Sequence, residues 1–303
     1  MVPVFLRPLA DRFKRTALYE ALDRYLQRYP RYFRYRYRKE WVFRDESIAI
    51  LTIDSLRYDV AIAANTPHFQ KLFGEIGVNG WVKVGAHGTH TLASHISMLH
   101  GGIFPCDNRP DVPPPYNRTR VKLFKPLLAW ERKSQQQIFP VPEAPNIVKG
   151  FEKLRYRTVG IGGVHWFDTT FQTSSLWGRH YFREFYWRPE FDEDHPDSLQ
   201  RQIALLRQLN LPDERRPVFF FLNISCTHRP YMGFGESVQG QQKAFEHVDS
   251  LLPEILRLLP RDCHLMILAD HGDCFGEDGL WGHTFYHPKV MEVPFVIGKR
   301  KSV

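Results

Sequence analysis

The chain is poor in cysteine. Four occur in 303 residues, at 106, 226, 263 and 274, with no Cys-x-x-Cys pair. That count argues against a disulfide-stapled scaffold and for a reduced, cytoplasmic setting. No run of about 18 or more apolar residues occurs, so no membrane-spanning helix is expected. The N-terminus lacks an apolar stretch followed by small residues, so no secretory leader is expected either. No internal repeat is visible. Acidic side chains are outnumbered, 33 against 41, which leaves a net charge of +8. The imbalance is local. Residues 1–42 hold eleven Lys and Arg against four acids, so seven of the eight excess charges lie there. The rest is close to neutral, and nothing about an active site follows from the overall basicity.

What is present begins with that basic extension, 1–46. Leu18, Leu22, Leu26 and Tyr29 form an apolar stripe on a predicted helix over 4–29, with Arg12, Arg15, Arg24 and Arg28 elsewhere on it. After Pro30, the run RYFRYRYRK alternates arginine with aromatics. It reads as a strand with one aromatic face, a nucleic-acid arm or a peripheral membrane patch, against the simpler alternative of a solvated face packed on the main domain.

The second domain, 47–303, alternates strand and helix signals. Short β-branched or aromatic runs at Ser47–Ile53, Thr158–Ile161, Val218–Ile224, His264–Ala269 and Val293–Ile297 read as buried strands, and Val78–Val84 as another strand. Helices are predicted from Pro67 with Thr66 as cap, over Ile147–Leu154, over 198–209 and over Phe245–Leu259. Residues 107–145, rich in Pro, charge and Gln, form an insertion expected to be a surface excursion or lid. The alternation implies an α/β three-layer sandwich with a mostly parallel central sheet.

One stretch, GAHGTHTLASHISMLHGGIFP at 85–105, organises the rest. Leu92, Ile96 and Leu99 make a helical stripe, which puts Thr91 at the helix start among free N–H groups suited to an anion, and His95 one turn on. Taken alone, Thr91 would be an N-cap. Yet Asp54, His165, His228, Asp270 and His271 all fall at or just past strand C-termini, the rim where doubly wound sheets bind ligands. Two aspartates, an adjacent imidazole and a helix-start hydroxyl suit a divalent cation beside a nucleophile.

These residues carry a family pattern. ILTIDSLRYD (50–59), TLASHISMLHGGIFP (91–105), YRTVGIGGVHW (156–166), FFFLNISCTHRPY (219–231) and ILADHGDCFGEDGLWGHTFYHPKVMEVPFVI (267–297) together resemble the sulfatase-like branch of the alkaline phosphatase superfamily. The resemblance implies that fold, without the C-terminal subdomain of sulfatases. It implies a metal held by Asp54, Thr91, Asp270 and His271, with Thr91 as nucleophile. His95 falls where sulfatases have a supporting Arg, and His283 where they have a Lys. His165 and His228 match substrate-contacting histidines. Three departures stand out. Thr91 lies outside any Cys/Ser-x-Pro-x-Arg motif and cannot become formylglycine, Ser55 replaces a second Asp, and Gly163 replaces a Lys.

Together these predict a metal-dependent hydrolase or transferase acting on phosphate esters through a phospho-threonine, with His95, His228 and His283 beside Thr91 in the catalytic set. A histidine-rich site favours Mn²⁺ or Zn²⁺ over Ca²⁺ or Mg²⁺. One metal site is expected, and His228 with His283 leaves a second open. The expected partner is an anionic phosphate- or sulfate-ester substrate. The alternatives are a sulfate-ester hydrolase, and a non-catalytic protein whose N-terminal arm binds an anionic partner.

Overall fold

A computed structural model describes residues 46–100, 107–108, 118–119, 146–169 and 177–301. The expectations for the N-terminal extension, the two glycines at 101 and 102, and most of the Pro-rich insertion fall outside these residues. Within the insertion only a short antiparallel pair, Asp107–Asn108 with Arg118–Thr119, is described.

The strands of the main sheet and the longer helices come in the order β1 (Ser47–Ile53), α1 (Tyr58–Ala63), α2 (Pro67–Ile76), β2 (Val82–Gly85), α3 (Thr91–Leu99), α4 (Ile147–Lys153), β3 (Arg157–Ile161), β4 (Glu184–Tyr186), α5 (Ser198–Leu209), β5 (Val218–Ile224), α6 (Val238–Leu258), β6 (Cys263–Ala269) and β7 (Glu292–Arg300). Seven strands form one sheet in the order β2-β7-β6-β1-β5-β3-β4. β1 pairs in parallel with β5 and β6, and β3 with β5 and β4. β7 is antiparallel to both of its neighbours.

β5 shows why the fold has three layers. Every residue of VFFFLNI is buried. Phe220, Leu222 and Ile224 join the core under α5 and α6, with Leu199, Phe245 and Val248. Phe219 and Phe221 point the other way, stacking on Phe151 of α4 at 5.0 Å and meeting His95 of α3 edge-on at 5.4 Å. A strand covered on both faces has no polar side to show, which is why it reads as a continuous apolar run.

The structure corrects several boundaries. The strand expected over 78–84 is only Val82–Gly85, because Val78 and Trp81 pack into the core as a lead-in. Thr66 precedes α2, but its hydroxyl makes no cap bond. The cap comes from Asp249 of α6, whose carboxylate accepts the backbone N–H groups of His68 and Phe69 at 3.2 and 2.8 Å. α6 starts two turns before Phe245, where the Ser237 hydroxyl accepts the N–H of Gly240 at 3.0 Å. β4, half-buried at the sheet edge, lies outside the expected strands.

Candidate metal and phosphoryl site

Parallel pairing delivers the chemistry to one rim. Asp54 follows β1, and its N–H bonds the Ile224 carbonyl of β5 at 3.0 Å. Asp270 and His271 follow β6, and Thr91 follows β2 as the first residue of α3. His90, with φ −165°, occupies the N-cap position, so Thr91 is not the cap and its hydroxyl is free for other work. Thr91 Oγ1 lies 3.4 Å from Asp54 Oδ2 and 3.2 Å from His271 Nε2. The His271 ring is fixed by Nδ1–H donating to the Gly272 carbonyl at 3.1 Å, which leaves the Nε2 lone pair facing Thr91.

The carboxylates are held but not neutralised. Asp54 accepts from Asn223 at 3.1 Å and from Ser55 Oγ at 3.2 Å. Asp270 Oδ1 accepts the backbone N–H groups of Ser55 and His271 at 3.1 and 3.0 Å. Its other oxygen, Oδ2, is buried with no hydrogen-bond partner among the described residues, 3.6 Å from His271 Nε2 and 3.7 Å from His95 Nδ1. Burial raises the pKa of Asp54. Burial, and then the neighbouring Asp54, raises that of Asp270 well above the carboxylate range. Burial pushes His271 well below the usual imidazole value. Two buried carboxylates, one of them with an orphaned oxygen, beside a neutral imidazole form a donor set suited to a cation. Asp54, Asp270 and His271 present ligand atoms within 4.8 Å of one another, so these residues fit a divalent ion.

The other expected residues divide into two groups. His228 and His283 do come to the site: the His283 ring is 4.3 Å from that of His271 and 5.4 Å from that of His228. Burial opposes protonation of His228, but Asp54, Glu193 and Asp273 outweigh it and raise its pKa. His165 and His95 lie further out in their contacts. His165 is half-exposed, stacks on Trp166 at 5.2 Å and sits 3.7 Å from Glu193 Oε1, which is also 3.6 Å from His228. His95 is wholly buried, with Nδ1–H donating to the Thr91 carbonyl at 2.7 Å and Nε2 beside the Thr52 hydroxyl at 3.0 Å. Its ring holds the backbone of Thr91 rather than the hydroxyl.

Several residues beside the site went unremarked in the sequence. Asn223 braces Asp54 and Thr52 from the end of β5. Asp273 accepts from His283 Nδ1 at 2.7 Å, and Tyr231 donates to its other oxygen at 2.7 Å. Asp192 and Glu193 form an adjacent pair, Asp192 pushed up to about 8 by burial and by Glu193. Against the same cost of burial, bonds from His165 and Asp192 draw Glu193 down to about 2. Gly163, where the family pattern has Lys, has no room for a side chain. A Cβ there would lie 2.6 Å from Asn223 Oδ1 and 2.7 Å from its carbonyl oxygen.

A scan against protein-family models and a search of curated proteins found no match to the sequence. Solved structures do match. The soluble domain of lipooligosaccharide phosphoethanolamine transferase A from Neisseria meningitidis superposes with a TM-score of 0.53 at 13% identity, over 85% of this chain and 78% of that one. The C-terminal periplasmic domain of EcEptC from Escherichia coli, in complex with Zn, gives 0.53 at 12%, over 85% and 73%. A protein of the alkaline phosphatase superfamily from Vibrio parahaemolyticus gives 0.50 at 18%, over 86% and 62%. With the mostly parallel sheet and its two helical layers, these superpositions show that the chain shares the fold of these proteins, an alkaline-phosphatase- and sulfatase-like α/β sandwich.

Proposed function

We propose that this protein is a metal-dependent phosphoester hydrolase or phosphotransferase with Thr91 as its nucleophile. One observation carries the reading: the Thr91 hydroxyl lies at a helix start within 3.4 Å of Asp54 and 3.2 Å of His271, beside the orphaned buried oxygen of Asp270. Asp54, Thr91, Asp270 and His271 would hold the ion, and two carboxylates with an imidazole suit Zn²⁺ or Mn²⁺. When bound, such an ion supplies Lewis-acid polarisation and lowers the pKa of a coordinated hydroxyl. The chain's own groups do the rest. Thr91 Oγ1 attacks phosphorus in line while the N–H groups at the start of α3 face the phosphoryl oxygens. His228 or His283 protonates the departing oxygen, and His165 with Trp166 lines the approach. The phospho-threonine then passes its phosphoryl group to water or to an acceptor hydroxyl. The structural relatives from Neisseria, named a phosphoethanolamine transferase, and from Escherichia coli, solved with Zn, support phosphoester chemistry and a zinc ion.

The test is elemental analysis of the purified full chain, followed by assay on aryl phosphate monoesters, aryl phosphate diesters and an aryl sulfate. Bound Zn or Mn and turnover of a phosphate ester are expected. Thr91→Ala should cut turnover by more than about a hundredfold with metal retained through Asp54, Asp270 and His271. Undiminished phosphate-ester turnover in Thr91→Ala sinks the nucleophile, and turnover confined to the aryl sulfate sinks the substrate class.

A further inference from the structure

His228 and His283 both stand beside the site, and ring position alone does not choose between them as proton donor. Their hydrogen bonds do. His228 Nδ1–H donates to the carbonyl of Arg229, its own neighbour, at 2.9 Å. His283 Nδ1 instead meets the carboxylate of Asp273, and that carboxylate is built into the fold. Asp273 is 1% exposed. Its Oδ1 takes His283 Nδ1 and its Oδ2 takes the hydroxyl of Tyr231, both at 2.7 Å. Tyr231 is 2% exposed, and its backbone N–H bonds the His228 carbonyl at 2.7 Å. The backbone carbonyl of Asp273 accepts Arg57 from the turn after β1 at 3.4 Å. The N–H of Thr284, next to His283, bonds the carbonyl of Thr89 just before α3 at 2.8 Å. One buried residue thus joins the turns that follow β1, β5 and β6, through its carbonyl to Arg57 and its carboxylate to Tyr231 and His283, and the ring it orients is tethered to the helix start that carries Thr91.

We propose that Asp273 and Tyr231 are positioning residues that make His283, not His228, the donor to the departing oxygen. The idea rests on the phosphoester reading above. With Nδ1 engaged by Asp273, Nε2 is the one ring nitrogen of His283 left for substrate. A charged acceptor fixes ring rotation and tautomer more firmly than a peptide carbonyl does. Tyr231 keeps the carboxylate from turning away. In the step itself the Thr91 Oγ–P bond forms as the hydroxyl proton passes to Asp54 Oδ2, 3.4 Å away, and the bond from phosphorus to the departing oxygen breaks. The electron pair stays on that oxygen, which takes the Nε2 proton of a His283 ring protonated at both nitrogens, and the ring is left neutral. His283 keeps its Nδ1–H on Asp273, and His228 contacts the phosphoryl group.

The experiment compares wild type with Asp273→Asn, Tyr231→Phe and His228→Gln on two phosphodiesters. One releases p-nitrophenolate, which departs without a proton, and the other releases an alkoxide, which does not. Asp273→Asn should lower kcat on the alkyl ester by about a hundredfold and on the p-nitrophenyl ester by no more than about threefold, with KM unchanged. Tyr231→Phe should show the same selectivity at smaller size, and it keeps the test alive if Asp273→Asn folds poorly. His228→Gln should raise KM on both esters alike. Equal losses on the two esters in both Asp273→Asn and Tyr231→Phe overturn the idea, as does selective alkyl-ester loss in His228→Gln. A readout free of turnover separates this idea from the reading beneath it. Nitrogen-15 spectra of the histidine-labelled full chain should show the neutral His283 ring protonated at Nδ1, with that signal lost in Asp273→Asn. If wild type turns over neither ester, the phosphoester reading falls, while the spectra still decide whether Asp273 sets the tautomer. Binding of a second equivalent of Zn²⁺ that Asp273→Asn abolishes would make Asp273 a ligand and overturn its positioning role.

Discussion

At position 95 the ring stands edge-on to Phe167 and Phe221, at 5.1 and 5.4 Å, with no exposed surface. Burial drives its pKa down to about 4, so His95 folds neutral and stays neutral at physiological pH. A neutral ring can give Nδ1–H to the Thr91 carbonyl and accept from Thr52, as the distances require. A protonated ring would need a second acceptor in an aromatic pocket. The sign of the pH effect follows. Unfolded, this histidine takes up a proton near pH 6.5, and folded only near 4, so its contribution to stability is complete above 6.5 and drains away as pH falls toward 4. Each unit of that interval is worth about 1.4 kcal/mol. Between pH 7.5 and 5, urea unfolding should show wild type losing about 2 kcal/mol more than His95→Gln. The family pattern pointed to position 95 as a support for Thr91, and the structure shows what it supports: the backbone. Asn223 and Asp273 were harder to read. Asn223 sits inside an apolar run that reads as pure strand, and only its direction, shared with Phe221 on the α3 side, turns its amide toward Asp54. Asp273, two residues past His271, looks like a turn former until the hairpin that follows it folds His283, ten residues on, back onto it.

α3 carries the nucleophile, and its seat is set by the loop before it. A Cβ on Gly88 would lie 2.5 Å from the N of Ser94 and 2.8 Å from the carbonyl carbon of Ala93. Both are helix backbone and cannot swing aside, so the first turn of α3 must move. Gly88→Ala should therefore cost about 1–3 kcal/mol in denaturant unfolding and also depress turnover, because Thr91 moves with the turn. Gly150→Ala in α4, where a Cβ meets nothing within 4 Å, is the matched control and should be neutral or slightly stabilising. Full stability in Gly88→Ala would show that the loop yields instead. Elements whose signal is local were legible: β1 and β5 match their apolar runs, and α3 begins at Thr91 where the 3.6-residue stripe begins. Those that depend on distant partners were not. α2 is capped by Asp249, nearly two hundred residues away in sequence, a partner that no capping rule written on neighbouring residues could find. The first two turns of α6, VQGQQK, are mostly polar, so periodicity begins only where Ala244 and Phe245 enter the core.

For the whole molecule, alternation of strand and helix was enough to place Asp54, Asp270 and His271 on one rim, since parallel strands all end on the same side. Strand order and the reversed direction of β7 were not readable, because both are decided by pairings between segments far apart in the chain. Convergence has an energetic consequence. Asp54 and Asp270 are fully buried with their pKa values raised, so in the metal-free protein folding forces two carboxylates together that the unfolded chain keeps apart in water. An ion bound by the folded chain relieves that conflict and stabilises by mass action, about 2.7 kcal/mol at a hundredfold excess over Kd. For a domain of this size that corresponds to a rise of about 5–10 °C in Tm. Chelator-treated protein should melt lower by that amount and recover on adding Zn²⁺ or Mn²⁺, while Ca²⁺ at the same concentration restores less. In Asp270→Asn the response should vanish, and the metal-free melting point should rise above that of metal-free wild type, because the variant buries one charge fewer. That opposite movement separates a true ligand from a residue that merely packs: a lower melting point in metal-free Asp270→Asn, with an intact response to Zn²⁺, would mean that the rim gathers carboxylates for some purpose other than holding a cation.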